Sequence, residues 1–350
     1  MILRSLFVAI LLLLSGLYAG AQATQSAIAI GDTPIAQSTF EDARQLAAKG
    51  RLDQAMNILS QLAAQTPEVA GVERLRGIIF YQKDQLQQAA DAFAKAVSQD
   101  ANDRESTEME GVSLFRLGRP QDALPYLEKA QNVSVEHANV EPQYVLGLCY
   151  ADVARYDDAR HAFAGQYGFA GDSAEAYLLA GRLFLRREFR DQAAVQAGKA
   201  LELNPQLPLA HELLGEAALA RGDVAAAIQE LEAERRINPL FGELYDRLGD
   251  AYLRSGQYAE AQTALNRAVL LEPGATGPYI LLGQTLLKMN DPIQALHYLT
   301  HAEKMDPSNY ITHNLLGQAY KATGQLAEAN REFKLVVEIQ HQGDPKPAGK

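Results

Sequence analysis

Apolar residues along the chain recur at spacings of three and four, which is the period of a helix with one buried face and not the alternation of a strand. An alanine keeps the frame. Ala55, Ala89 and Ala123 are 34 residues apart, a gap of 36 leads to Ala159, and 34 separates each of Ala193, Ala227, Ala261, Ala295 and Ala329 from the one before. Twelve residues before each alanine but the first stands a glycine: Gly77, Gly111, Gly147, Gly181, Gly215, Gly249, Gly283 and Gly317, with Ala43 in that place in the first. Three residues after it comes a large apolar residue, among them Phe80, Tyr150, Phe184, Tyr252 and Tyr320. Four residues after the alanine comes another, among them Phe93, Phe163, Leu231, Leu265 and Phe333.

This pattern predicts pairs of antiparallel helices crossing closely. A glycine inside a helix costs up to about 1 kcal/mol relative to alanine, so its recurrence needs a packing reason. Without a side chain there, the first helix can approach the second to near backbone contact, with the alanine facing the same crossing. Large residues one turn away then fill the remaining space. A turn between the helices often carries glycine, as at Gly50, Gly118, Gly222, Gly256 and Gly324. Leu203-Asn204-Pro205, Ile237-Asn238-Pro239, Leu271-Glu272-Pro273 and Met305-Asp306-Pro307 then stop the second helix, because proline disfavours helix before it and lacks an amide.

Leu248-Gly249, Tyr252, Ala261, Leu265, Ala268 and Pro273 follow in the order typical of one family, and the chain resembles the tetratricopeptide repeat proteins. The resemblance implies an all-α fold, a right-handed superhelical α-solenoid of helix-turn-helix repeats. Nine units then cover 36–69, 70–103, 104–137, 140–173, 174–207, 208–241, 242–275, 276–309 and 310–343. The first three are weaker, with Asp42, Arg76 and Glu110 where the family favours Leu. Three glycines within 165–173, and Gln166 in place of an alanine, predict a shortened helix and a looser joint after the fourth unit. A two-residue insertion near Ala138 reads as loop.

Outside the repeats, the N-terminus reads as a secretory signal. Arg4 precedes an apolar run from Leu6 to Leu17, and Ala21-Gln22-Ala23 fits a cleavage site, giving a signal peptide over 1–23 and a linker over 24–35. The protein is therefore expected outside the cytoplasm, periplasmic or secreted, with an uncleaved N-terminal anchor as the alternative. Residues 344–350 read as a disordered tail. Formal charge is -11, from 32 basic and 43 acidic residues, which argues against sequence-independent nucleic-acid binding and against docking on an anionic membrane. Cys149 is the single cysteine, so neither an intrachain disulfide nor a thiolate zinc site can form.

The chain offers no catalytic constellation, and no cofactor or metal is expected. It has no phosphate loop, no His-Glu-x-x-His and no serine elbow. His297 and His301 share a helix face but lack a third ligand nearby in sequence. His211-Glu212 reads as surface, Cys149 as a buried thiol, and Asn132-Val133-Ser134 as incidental.

What the resemblance implies instead is a groove lined by the first helices. Its stripe carries Arg182, Leu185, Arg186, Glu212, Glu216, Glu243, Asp246, Asp250, Arg254, Gln284 and Lys288, acidic in the middle with arginines at its edge. The Lys and Asn set by which chaperone-binding members clamp a terminal carboxylate is missing, and Glu212, Glu216 and Asp250 would repel such a group. The expected partner is a basic or mixed-charge protein or peptide segment. The last helix, with Phe333, Val336, Val337 and Ile339 and no polar capping helix after it, adds self-association as an option. The implied function is a non-enzymatic scaffold in a cell-envelope assembly or export complex. The alternative is an accessory carrier for polysaccharide or peptide ligands.

Overall fold

The computed structural model of the protein describes residues 34–131 and 140–343. The expected signal peptide, nearly all of the linker, the insertion near Ala138 and the tail 344–350 lie outside them. The described residues contain eighteen helices and no strand.

A first compact unit runs to Ala101 and a second from Asn102. The first holds α1 (Pro34–Ala48), α2 (Leu52–Ala63), α3 (Val72–Gln82) and α4 (Leu86–Gln99). The second holds α5 (Arg104–Arg116), α6 (Pro120–Gln131), α7 (Val140–Asp152), α8 (Tyr156–Tyr167), α9 (Ala174–Arg186), α10 (Arg190–Leu203), α11 (Ala210–Arg221) and α12 (Val224–Ile237). It continues with α13 (Gly242–Arg254), α14 (Tyr258–Leu271), α15 (Thr276–Lys288), α16 (Pro292–Met305), α17 (Tyr310–Ala322) and α18 (Leu326–Gly343). Each odd-numbered helix packs on the even one that follows, so the fold is an all-α stack of hairpins. Within the second unit, first helices of successive hairpins also touch, as α9 does α11, α11 does α13, and α13 does α15. That puts them on the tighter side of the stack.

Local chemistry explains where these helices begin. Asp103, Ser173, Asp223 and Asp291 each accept from a backbone amide three residues on, satisfying a donor the helix leaves open. Pro292 opens α16, where its missing amide costs nothing.

The crossing brings the expected close approach at the alanine, with a Cβ on Gly181 falling 3.2 Å from the Ala193 carbonyl and one on Gly215 3.4 Å from that of Ala227, and adds a tighter contact with the large residue. A Cβ on Gly77 would lie 2.6 Å from the Phe93 ring, and one on Gly215 would lie 2.6 Å from Leu231 Cγ. Gly111 meets Leu127 in the same way, Gly147 Phe163, Gly249 Leu265, Gly283 Leu299 and Gly317 Phe333. The glycine is thus a socket for the large residue four places after the alanine. Phe93, Phe163, Leu231, Leu265 and Leu299 are fully buried in it. In the hairpin of α9 and α10 that place holds Ala197, and Leu213 from α11 reaches across instead, 2.8 Å from where a Gly181 Cβ would stand.

The glycine-rich segment after α8 also departs from expectation in one respect. The helix is short, with 12 residues against 14 in α10, and ends on Gly168 in the left-handed region. The joint is nevertheless tied. Arg160, buried in α8, donates from Nε to the Gly171 carbonyl at 2.8 Å and from Nη2 to Asp172 at 2.6 Å, and it also pairs with Asp157. Its guanidinium lies 4.2 Å from the centre of the Tyr177 ring on α9, so the loop is bound to both helices it joins.

Candidate functional site

On the tighter side of the second unit, ionic contacts run from α9 to α13. Arg182 of α9 pairs with Glu212 of α11. Arg247 of α13 reaches back to three carboxylates, lying 3.1 Å from Glu212 through Nε, 2.6 Å from Glu216 through the same atom, and 3.3 Å from Glu243 through Nη1. Glu212 is fully buried, which corrects its reading as surface: α9, α11 and α13 close around it. Burial pushes its carboxyl up from the ordinary range; Arg247 and Arg182 oppose that, while Glu216 reinforces it. His211 is not a free surface group either, because its Nδ1 lies 2.7 Å from Glu230.

Arg247 is the charged residue of this face that the sequence stripe misses. It stands beside Asp246, off the expected face, and its only sequence signal is Glu243 four residues earlier. Its effect is to neutralise much of the acidic middle of the face.

What remains acidic is Asp246. Its Oδ1 is buried without a hydrogen-bond partner. Burial first of all pushes its pKa up to about 6; Arg247 eases this, and Asp250, Glu272 and Glu243 add to it. Across from it, Gly277 at the start of α15 has no side chain to cover the carboxylate, and a Cβ there would sit 3.5 Å from Oδ2. Asp250 is bonded to Arg254 at 3.5 Å, and Arg254 also reaches the Leu219 carbonyl at 3.5 Å. Arg186 and Lys288 are exposed at the ends of α9 and α15, and Gln284, one turn before Lys288, is half-buried. The structure therefore brings Arg182, Glu212, Glu216, Glu243, Asp246, Asp250 and Arg254 onto adjoining helices, while Arg186, Gln284 and Lys288 stand at the margin.

Elsewhere, exposed His297 and His301 pack on aromatic rings, with centroids 5.2 Å from Tyr298 and 4.4 Å from Tyr279. Cys149 is buried, and burial above all raises its thiol to about 12, with Asp152 adding to the rise and Arg187 opposing it.

Stacked helical hairpins with a glycine socket in eight crossings, and an ionic face made by their first helices, define a helical-repeat protein. Models of the tetratricopeptide repeat match residues 40–104, 178–240, 242–275 and 286–348, and the chain belongs to that family. Similar solved structures include MamA from Desulfovibrio magneticus RS-1, at 22% identity and TM-score 0.47 over 50% of this chain and 98% of that one. Another is YrrB, described as a tetratricopeptide repeat protein with an unusual peptide-binding site, at 21% identity and TM-score 0.46 over 53% of this chain and 95% of that one. A third is the C-terminal part of a repeat protein from Cytophaga hutchinsonii, at 15% identity and TM-score 0.46 over 68% of this chain and 96% of that one. No curated protein matches the chain.

Proposed function

We propose that the protein is a non-enzymatic interaction scaffold whose first-helix face, from Arg182 to Lys288, takes a basic or mixed-charge segment of a protein partner. Tetratricopeptide repeats are interaction modules, and the carrying observation is Asp246. Its Oδ1 is buried without a hydrogen-bond donor, Arg247 offsets only part of the cost of that burial, and Gly277 puts no side chain over the carboxylate. A lysine or arginine from a partner would supply that donor, with Asp250 and Glu272 adding attraction. The edge arginines Arg186 and Arg254 suit acidic residues flanking that cation. The signal-like N-terminus supports an exported protein, and we place its work in an envelope assembly or export complex on that ground.

Binding of immobilised peptides matched in length, one series rich in Lys and Arg and one rich in Asp and Glu, tests the reading. Basic peptides should be retained, less so as salt rises. Asp246→Asn with Asp250→Asn should weaken them roughly tenfold. Equal retention of both series, or retention that the double variant leaves unchanged, would refute it.

A further inference from the structure

In the α17–α18 hairpin a buried histidine lies close to Glu303 of α16. The two hairpins before it carry tyrosine at the corresponding place. Tyr245 donates its hydroxyl to the Pro239 carbonyl at 2.9 Å, and Tyr279 donates to the Pro273 carbonyl at 3.2 Å, in each case six residues back. His313 repeats the contact through Nε2, 2.9 Å from the Pro307 carbonyl. A phenol has then spent its proton. An imidazole has a second nitrogen, and His313 Nδ1 lies 2.7 Å from Glu332 Oε2 on α18.

Both nitrogens thus face acceptors, a carbonyl and a carboxylate. A neutral imidazole carries a proton on one nitrogen only, whereas both bonds are made by the cation. With two N–H groups engaged, no lone pair is left to bind a metal. The pair is sealed, its side chains 3% and 9% exposed. Glu303 of α16 comes within reach of both partners, Asp306 sits in the turn before α17, and the Tyr320 hydroxyl lies near Glu332 and Glu303. The charges that act on the imidazole are thus those of carboxylates, while the cation Arg331 acts on the neighbouring Tyr320. His211 and Glu230 form the same pair in the hairpin of α11 and α12, but at 23% and 26% exposure and with neighbouring hairpins on both sides.

We propose that protonated His313 is a clip which holds α17 to α18 and to the turn that leads in from α16, and that this hairpin loosens when the clip loses its proton. The position matters because, among the described residues, this hairpin packs only on α15 and α16, and a hairpin with few packing partners opens more easily than one held on both sides. Burial alone would lower the imidazole pKa, but the Pro307 carbonyl, the Glu332 hydrogen bond and charge, and Glu303 outweigh it and leave it raised. A group raised on folding stabilises fully below its unfolded pKa and ceases to do so as pH rises through its folded one. The clip is closed in mild acid and opens toward alkaline pH.

Hydrogen exchange of the mature chain tests this at pH 5.5, 7.0 and 8.5, with labelling times scaled to the intrinsic amide rate. Peptides from 310–343 should lose protection roughly tenfold across that range relative to peptides from α13 and α14. His313→Tyr with Glu332→Ala rebuilds the Tyr245 and Ala264 pairing of the hairpin two before, and should abolish the difference while keeping the hairpin folded. In parallel, the wild-type His313 imidazole, followed by NMR, should titrate above the free-histidine value. Protection of 310–343 that is independent of pH, pH dependence that survives in the double variant, or titration at or below the free value overturns the proposal.

Discussion

Between the first and second helix of each hairpin, one residue takes a left-handed backbone. Gly50, Gly118, Gly222, Gly256 and Gly324 do so with φ from 73 to 83°, and Asp84, Ala154, Glu188 and Asn290 do so with φ from 60 to 64°. The chain must reverse within a few residues there, and this conformation achieves it. For an L-residue with a Cβ it costs about 1–2 kcal/mol, and aspartate and asparagine bear it best. Ala154 and Glu188 have no such excuse and are held there by the helices on either side. Glu188→Gly should therefore stabilise the protein by about 1 kcal/mol, less what glycine loses in the unfolded chain. Gly222→Ala should destabilise it by a similar amount, and the urea midpoints of the two variants should move in opposite directions. The glycine turns were legible in the sequence because glycine advertises the conformation. The other four were not: Asp84 and Asn290 tolerate the conformation without announcing it, and at Ala154 and Glu188 tertiary packing imposes what the residue itself disfavours.

The hairpin as a unit was legible for a different reason: its apolar spacing and its stops at proline state where two helices begin and end. Its inner geometry was not. The spacing of glycine, alanine and large residue allows both backbone approach at the alanine and a socket under the large side chain; both occur, and the distances make the socket the tighter of the two. Gly215→Ala is the direct test. The added methyl would stand 2.6 Å from Leu231 Cγ, and Leu231 is fully buried with nowhere to retreat. The cost should be about 1–3 kcal/mol by overpacking, read from chemical denaturation. Leu231→Ala alone should cost about 2–5 kcal/mol as a cavity. Because one change makes room for the other, the double variant should be less destabilised than the sum of the two. Strict additivity would mean that glycine is there for something other than Leu231. The exchange at Gly181, where Leu213 serves for Ala197, could not be read from one repeat, since the substitute comes from the next.

Charge is legible only as a total until the second unit is assembled. The sequence shows an excess of 11 acidic residues and an acidic stripe, but not that Arg247 gathers Glu212, Glu216 and Glu243, nor that Glu212 is sealed from solvent. Those depend on three helices meeting. Once they meet, Asp246 is the carboxylate left over, and its pKa of about 6 has a consequence for the stability of the whole unit. An aspartate raised above its unfolded value of about 3.9 makes the folded state the stronger proton binder between the two values. The fold then carries no penalty below about pH 4, gathers it as pH rises through 6, and keeps it in full above that. Allowing for the part of the residue that solvent still screens, the penalty is about 1 kcal/mol. Asp246→Asn should accordingly be about 1 kcal/mol more stable than the wild type at pH 7.5 and indistinguishable from it near pH 4, measured by urea unfolding at the two values. A basic peptide seated on this face should remove the same penalty by supplying the cation. It should then raise the melting temperature of the wild type more than that of the variant, since only the wild type carries a carboxylate that Arg247 compensates in part. Equal shifts in the two would locate the peptide elsewhere, and would leave Asp246 as a strained residue with no part in binding.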